Sequence, residues 1–298
     1  MPEPFPFVLN VISPGPDALA GPLRALAAER GAAVGEVAWL APERAFDIPF
    51  LDHAADVLAA ARAFTEGATA DINMVPAANR RKKLLIADMD STIIDCEVLD
   101  ELADMAGLKE KVAPLTEAAM RGEIAFEPAL RQRASFLAGL PVSLLERVYR
   151  ERVHLNPGAR KLVATMRAHG GGTMLVSSSF RYFTQRVARA CGFDSEQANE
   201  LLHADGAFTG RVAEPILGRD AKLRALQNAV AEMNITLADT LTVGDGANDV
   251  AMIEAAGLGV AYHPKPVLAK AANAVIAHGD LTGLLFLQGY REDEFVAA

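Results

Sequence analysis

Short apolar runs alternate with amphipathic helical patterns along most of the chain, and this alternation predicts its architecture. In the first part the order is strand, helix, strand, strand, helix, strand, which is the ferredoxin-like split motif. The predicted elements cover residues 7–12, 18–30, 34–40, 45–50, 52–65 and 71–75. We therefore predict a small α+β domain over residues 1–82, followed by a second domain over residues 83–298.

The second domain opens on an apolar run at residues 84–87 that ends in two carboxylates, Asp88 and Asp90. A short run of this kind is typical of a strand that is buried on both faces of a parallel sheet. Open α/β sheets bind their ligands at the carboxyl ends of their strands. Side chains two positions apart on a strand share one face, so both acids can converge on one ligand.

Residues 97–157 interrupt the α/β alternation with four helical patterns joined by short connections. They predict a small helical bundle that stands over the carboxyl end of the first core strand as a cap. A cap of this kind excludes water and contacts the substrate. Glu97 lies where the chain enters the cap, and Arg133 lies one turn beyond the apolar Leu130. Their spacing by itself is more typical of charges exposed to solvent.

Residues 158–298 return to strand and helix patterns. Strands are predicted at 172–176, 241–243, 257–261 and 274–276, and a hairpin is predicted around 204–212. The predicted fold class is therefore α/β, with a Rossmann-like parallel sheet, an inserted helical-bundle cap and an N-terminal ferredoxin-like domain.

Three polar groups in this region are candidates for chemistry. Ser177, Ser178 and Ser179 follow a strand and precede a predicted helix at 180–190, where free amides can bind an anion. Serines at such a position are also common helix caps. Lys222 lies in the first turns of a predicted helix, a position where most lysines are simply solvated.

The stretch at residues 244–249, Gly-Asp-Gly-Ala-Asn-Asp, is the most specific of the three. An apolar strand again ends in an aspartate, and one helical turn would bring Asp249 to the same side as Asp245. Carboxylates at two strand ends of one α/β unit suit Mg²⁺, a hard cation that prefers oxygen ligands.

Composition and charge argue against several classes of protein. Hydrophobic residues make up 51% of the 298 residues, which excludes a disordered chain. The net charge of −9 argues against nucleic acid as a partner, and no apolar run is long enough for a membrane span. The first residues lack the basic region of a signal peptide, and the two cysteines form no metal-binding spacing. We therefore expect a cytoplasmic protein.

Read together, the strand-end motifs resemble those of the haloacid dehalogenase superfamily, and within it the branch that hydrolyses O-phosphoserine. The resemblance rests on residues 88–92, Ser177, Lys222 and residues 244–249, and covers residues 80–280. It implies that Asp88 is the nucleophile and Asp90 the general acid and base. The remaining implied roles are Mg²⁺ binding by Asp88, Asp90, Asp245 and Asp249, and substrate binding by Glu97, Arg133, Ser177, Ser178, Lys222 and Asn248. Asn248 would orient the phosphate or Lys222.

The N-terminal domain resembles ACT-like regions more loosely, which implies amino-acid sensing or packing, including a homodimer through this domain. One position departs from the superfamily pattern, because Ser178 and Ser179 stand where two glycines are common. A positive φ at Ser178 would strain the serine, whereas a negative φ would not.

Two alternatives to phosphoserine hydrolysis stay open at this point. The same aspartyl-phosphate could be discharged to an alcohol by a related transferase, or could arise from another small metabolite. A regulatory amino-acid-binding protein is the alternative of another class.

Overall fold

The structure is a computed structural model that describes residues 5–30, 33–52, 54–121 and 123–297. It contains an N-terminal α+β unit, a parallel α/β core and a helical cap. Within the described ranges, no helix combines the length and the apolar character needed to cross a bilayer.

The N-terminal unit forms a four-stranded antiparallel sheet in the order β2-β3-β1-β4. This order confirms the predicted ferredoxin-like arrangement. β2 starts later than predicted, since Val34 makes only an isolated bridge to Phe50. The elements are β1 (Phe7–Ile12), α1 (Asp17–Glu29), β2 (Ala38–Ala41), β3 (Ala45–Phe50), α2 (Ala54–Phe64) and β4 (Asp71–Pro76).

The first core strand, β5 (Leu84–Ala87), is buried along its whole length, and the cap follows it directly. Four helices form the cap, as the sequence predicts. Their bounds are α3 (Val98–Met105), α4 (Lys109–Met120), α5 (Phe126–Ser135) and α6 (Ser143–Arg152).

The rest of the core alternates helices with strands, apart from one hairpin. Its elements are α7 (Ala159–Ala168), β6 (Gly172–Phe180), α8 (Arg181–Cys191), β7 (Ser195–Asn199), β8 (Leu201–Ala204), β9 (Ala207–Val212), α9 (Arg219–Glu232), β10 (Thr240–Gly244), α10 (Val250–Ala255), β11 (Leu258–Tyr262), α11 (Pro266–Ala271), β12 (Ala274–Ile276) and α12 (Gly283–Leu287). The hairpin of β8 and β9 confirms the prediction near residue 204. It joins the cap, because Gly139 N donates to Phe208 O at 2.8 Å.

The core sheet is parallel throughout, in the order β12-β11-β10-β5-β6-β7. β5 lies in the middle, between β10 and β6, so the carboxyl ends of these three strands are neighbours. The edge strand β7 was missed by the sequence patterns. Its residues are polar, and it is held by backbone pairing with β6 rather than by an apolar run.

The N-terminal sheet is covered on both faces, which explains why β1 is buried along most of its length. Leu9 and Val11 pack against the helices of their own unit. Val8 and Ile12 point to the opposite face and belong to the hydrophobic cluster of the core. This split follows from the alternation of side chains along a strand.

Polar contacts hold the two units together at the same face. The side chain of Asn73 on β4 exchanges two hydrogen bonds of 2.8 Å with the backbone of Val275 on β12. Arg80 Nη2 donates to Asp47 Oδ1 at 2.9 Å, and its Nε donates to Leu287 O at 2.8 Å. The N-terminal unit is therefore docked on the core through its sheet.

Candidate active site

The site is built on the carboxyl ends of the three central strands. Ala87 pairs with Val243 of β10 on one side and with Leu175 of β6 on the other. Asp88 follows β5, Ser177 lies in β6 and Asp245 follows β10, so these groups converge at one edge of the sheet. All three side chains are buried.

A buried lysine joins two of the carboxylates. Lys222 Nζ on α9 lies 2.7 Å from Asp88 Oδ1 and 2.7 Å from Asp249 Oδ1, and its side chain is 1% exposed. Burial by itself lowers the pKa of Lys222, but Asp249 and Asp88 outweigh it and hold the pKa above its usual value. Lys222 is therefore a fixed positive charge beside Asp88.

Asp249 is fixed from the opposite side by backbone amides. Its Oδ2 accepts hydrogen bonds from Asp245 N at 3.3 Å and from Gly246 N at 3.2 Å. The close approach requires glycine at Gly244, where a Cβ atom would lie 2.3 Å from Asp249 Cγ. Gly244 thus makes room for a neighbouring side chain.

Asp90 is held by a serine hydroxyl and a backbone amide. Its Oδ2 accepts from Ser177 Oγ at 2.9 Å, and its Oδ1 accepts from Val98 N at 2.9 Å. Burial raises the pKa of Asp90 to about 6, while the two hydrogen bonds oppose the rise. A carboxyl group with such a pKa can give up and take back a proton near neutral pH.

Three buried carboxylates are close enough to share one cation. One oxygen from each of Asp88, Asp245 and Asp249 lies within 4.8 Å of the other two. Asp245 Oδ1 is buried without a hydrogen-bond partner, and burial raises the pKa values of Asp88 and Asp245. An all-oxygen donor set with an unpartnered buried carboxylate oxygen fits a hard divalent cation. The side chain of Asp90 is not part of this cluster.

The cap supplies the opposite wall of the site. Glu97 is half-buried, and its Oε1 accepts from Ser91 Oγ at 2.7 Å. Arg133 is buried, and its Nη1 donates to Thr116 Oγ1 at 2.9 Å. Thr116 in turn donates to Asp100 Oδ1 at 2.5 Å. These contacts orient both charged groups that the sequence singled out in the cap.

A small cavity lies between the cap and the sheet. It encloses about 30 Å³, which has room for only one or two water molecules. Its walls combine strand-end acids, serines and cap residues, namely Asp88, Asp90, Glu97, Arg133, Ser178 and Asn248. The structure thus brings most of the predicted site residues around one small space.

One prediction about this region needs correction, and one expectation that depended on a backbone angle is resolved. The serines do not lie in the first turn of a helix, because β6 continues through Phe180 and α8 begins only at Arg181. The strain considered for Ser178 is absent, since Ser178 is not among the described non-glycine residues with positive φ. The serine segment is extended backbone, which any residue can adopt.

The predicted contact between Asn248 and Lys222 is not seen among the described residues. Within the described residues, Lys222 contacts Asp88 and Asp249, and the buried Asn248 Oδ1 has no hydrogen-bond partner. Asn248 lines the cavity instead. The remaining expectation, that Asn248 orients the phosphate, is unaffected.

With this geometry in place, comparison with known proteins identifies the family. A sequence model described as haloacid dehalogenase-like hydrolase matches residues 85–254. The chain belongs to this family. Among curated relatives, the phosphoserine phosphatase of Archaeoglobus fulgidus is 42% identical over 233 residues, covering 78% of this chain and 67% of the relative. Matches to two further curated relatives cover little more than half of those proteins' length.

Solved structures of the haloacid dehalogenase family support the same architecture. A family hydrolase from Salmonella enterica superposes with a TM-score of 0.83 at 26% identity, covering 97% of this chain and 99% of its own. A phospho-aspartyl intermediate analogue of phosphoserine phosphatase gives a TM-score of 0.66 at 36% identity, covering 69% of this chain and 98% of its own. The first likeness extends over the N-terminal unit as well as the hydrolase core.

The sequence reasoning missed Lys265 as a member of this haloacid dehalogenase site. Lys265 Nζ donates to Asp245 Oδ2 at 2.8 Å, and Lys265 N donates to Asp245 O at 2.9 Å. Lys265 lies three residues after β11, the strand next to β10. A search for polar residues after every strand of the parallel sheet would have found it.

The raised pKa of Glu97 leads to a prediction about the stability of the metal-free protein. Burial, together with the charges of Asp90 and Asp245, raises the pKa of Glu97 from 4.5 to about 8. Between these values the folded protein keeps a proton that the unfolded chain releases, so stability falls as pH rises. Glu97→Gln removes this loss and can still accept from Ser91. We expect it to raise the free energy of unfolding by about 1–3 kcal/mol at pH about 8.5, with little change near pH 4.

Urea unfolding of wild type and variant at both pH values checks this expectation. Glu110→Gln, on the exposed surface of α4, is the matched control and should show no gain at either pH. A Glu97→Gln variant that gains equally at both pH values would contradict the proposed ionisation.

Proposed function

We propose that this chain hydrolyses O-phosphoserine to serine and phosphate through an aspartyl-phosphate on Asp88. The proposal rests on one main observation, which is that charged residues lie on two opposite sides of one cavity. Asp88, which pairs with Lys222, lines one side of the cavity, while Glu97 and Arg133 line it from the cap. The likeness to phosphoserine phosphatases, including an intermediate analogue, supports both the substrate and the intermediate.

In the first step, a carboxylate oxygen of Asp88 forms a bond to phosphorus while the bond to the serine oxygen breaks. Asp90 gives its proton to the departing oxygen, which yields serine. The Lys222 ammonium and the Ser178 amide lie where negative charge spreads over the phosphoryl oxygens. Ser177 holds Asp90 in place through its hydroxyl.

In the second step, Asp90 accepts a proton from water as the water oxygen bonds to phosphorus. The bond to Asp88 breaks, and free phosphate and the Asp88 carboxylate are released. One residue thus serves as acid and then as base, which its pKa of about 6 permits.

The carboxylates of Asp88 and Asp245, with the Asp90 backbone carbonyl, would hold Mg²⁺. Asp249 would lie next to the ion, because its own oxygens already accept from Lys222 and from two amides. When bound, Mg²⁺ neutralises negative charge so that two anions can approach each other.

Substrate recognition is assigned to the cap. The planar guanidinium of Arg133 matches a carboxylate, and Glu97 matches an ammonium group. Because a cavity of about 30 Å³ cannot hold an amino-acid phosphate, the cap must move to admit the substrate.

Arg133→Ala tests this assignment. It should lower kcat/KM for phosphoserine by about 2–4 kcal/mol, or about 30- to 900-fold, because a desolvated charge pair is lost. Hydrolysis of p-nitrophenyl phosphate, which has no carboxylate, should change little. Arg131→Ala is the matched control, since Arg131 lies on the same helix but is exposed and pairs with Glu214. Equal losses on both substrates would assign Arg133 to the phosphate or to the fold of the cap.

Release of inorganic phosphate from phosphoserine, without an added acceptor alcohol, is the direct test of the function. A transferase would release phosphate only slowly and would be accelerated by an alcohol. Absence of turnover with every small phosphate monoester tried would contradict the proposal.

The remaining assignments are also proposals. The domain division at residues 82 and 83 is supported by the absence of proposed site residues before Asp88. A homodimer through the N-terminal unit would use its helices or the edge strand β2, because the other sheet face packs on the core. A cytoplasmic location is supported by Cys96 and Cys191, which are both free thiols.

A further inference from the structure

Residues 177–179 near the end of β6, the serine triplet, carry three consecutive hydroxyl groups. Within the part of the chain that the structure describes, Ser178 Oγ and Ser179 Oγ are both buried without a hydrogen-bond partner, and both residues line the cavity beside Asp88. Ser178 is 7% exposed. A buried hydroxyl without a partner is costly, so a protein rarely keeps two in one place unless a ligand satisfies them.

The Ser177 hydroxyl, in contrast, already uses its donor hydrogen. Its hydroxyl donates to Asp90 Oδ2 at 2.9 Å and accepts from Ser179 N at 2.9 Å. A serine hydroxyl carries a single donor hydrogen. Among the described residues that line the cavity, the hydroxyls without a partner are therefore those of Ser178 and Ser179.

The backbone of the triplet is held firmly by a neighbouring side chain. Asn199 Nδ2 donates to Ser178 O at 2.7 Å and to Leu217 O at 3.0 Å. Asn199 Oδ1 accepts from Leu217 N at 2.7 Å. Asn199 is itself buried, so the loop before α9 and the serine segment are fixed to each other. Ser178 and Ser179 therefore line the cavity on a rigid support, which lowers the entropic cost of binding.

We propose that the hydroxyls of Ser178 and Ser179 are additional phosphate-binding groups, which donate hydrogen bonds to the phosphoryl oxygens of the substrate. This inference rests on the proposed phosphatase function and deepens it. Glycine, common at these two positions in the superfamily, could supply only its amide. Ser178, the more deeply buried of the two, contributes more to binding.

Inorganic phosphate is the probe, measured as a competitive inhibitor of p-nitrophenyl phosphate hydrolysis with Mg²⁺ present. We expect Ser178→Ala to raise the inhibition constant of phosphate about 3- to 30-fold, and Ser178→Gly to do the same. The double variant carrying glycine at both positions should lose more than either single variant. KM for phosphoserine should rise in parallel.

The control is Ser13→Ala, the same chemical change at a nearly buried serine of the N-terminal unit, where Ser13 Oγ donates to Thr69 O. It should leave phosphate inhibition unchanged. Thermal unfolding without phosphate tests folding, and Ser178→Ala should unfold no earlier than wild type because it removes an unpartnered hydroxyl. An unchanged inhibition constant in the folded double variant would overturn the proposal. So would a loss that affects phosphoserine but spares both inorganic and aryl phosphate, which would place the hydroxyls on the amino-acid half.

A failure of this hydroxyl proposal can be told apart from a failure of the proposed phosphatase function. If wild type hydrolyses no phosphate monoester, the phosphatase proposal fails. The shift in unfolding temperature that phosphate causes with Mg²⁺ present then tests the hydroxyls directly. A shift that persists undiminished in the double variant would again overturn the assignment.

Discussion

Asp88→Asn should abolish turnover while leaving the fold intact. We expect kcat to fall at least about a thousandfold, because an amide is a poor nucleophile and no aspartyl-phosphate can form. The fold should survive, since Lys222 keeps its second partner, Asp249, at 2.7 Å. Steady-state kinetics with phosphoserine, together with circular dichroism of the purified variant, checks both parts.

Asp95→Asn is the matched control for Asp88→Asn. Asp95 lies in the same segment but is exposed, and it accepts a hydrogen bond from His154 N at 3.2 Å. It should retain activity. Mass spectrometry of acid-quenched wild type should find a phosphoryl group on Asp88 and none in the variant. Turnover above about a thousandth of wild type, with contamination excluded, would contradict the nucleophile assignment.

Removal of divalent metal should have an equally large effect. Exhaustive treatment with EDTA should reduce activity to background, and Mg²⁺ should restore it. Without the cation, the carboxylates of Asp88, Asp245 and Asp249 lie together and no metal neutralises their charge. Ca²⁺ should be a poor substitute, since it prefers more ligands at longer distances.

Mg²⁺ binding can also be followed without any assay of activity. Mg²⁺ should raise the unfolding temperature of wild type, because a ligand that binds only the folded state stabilises it. Asp245→Asn should weaken this shift, whereas Asp220→Asn, at the exposed start of α9, should leave it unchanged. Full activity after complete chelation would refute the metal site.

Much of the site could be predicted because its signals are local. The strands β5 and β10 are short apolar runs that end in Asp88 and Asp245, and a parallel sheet brings such ends together. The pattern Gly244 to Asp249 also places a second acid one turn away. The cap was predictable from the change in periodicity after Asp90, and the N-terminal unit from its order of strands and helices.

Other contacts could not be predicted because they join residues that are far apart in the chain and carry no periodic pattern. Thr116 orients Arg133 although 17 positions separate them, and Lys265 reaches Asp245 across 20. The edge strand β7 has mostly polar residues and is held by pairing with β6 and by contacts with α8 such as that of Thr184 with Glu196. Docking of the N-terminal sheet on the core likewise depends on pairs such as Asn73 with Val275.

The sequence by itself determined the fold class, the strand-end acids and the identity of the basic residues, because apolar periodicity and turn residues are properties of neighbouring positions. Only the tertiary structure decided what each polar group contacts. Lys222, which by spacing alone could have been a solvated lysine, is fully buried between Asp88 and Asp249. The Ser177 hydroxyl donates a hydrogen bond to Asp90, while the hydroxyls of Ser178 and Ser179 have no partner among the described residues. The physical reason is that a hydrogen-bond partner is chosen by three-dimensional proximity and desolvation, neither of which has a signature along the chain.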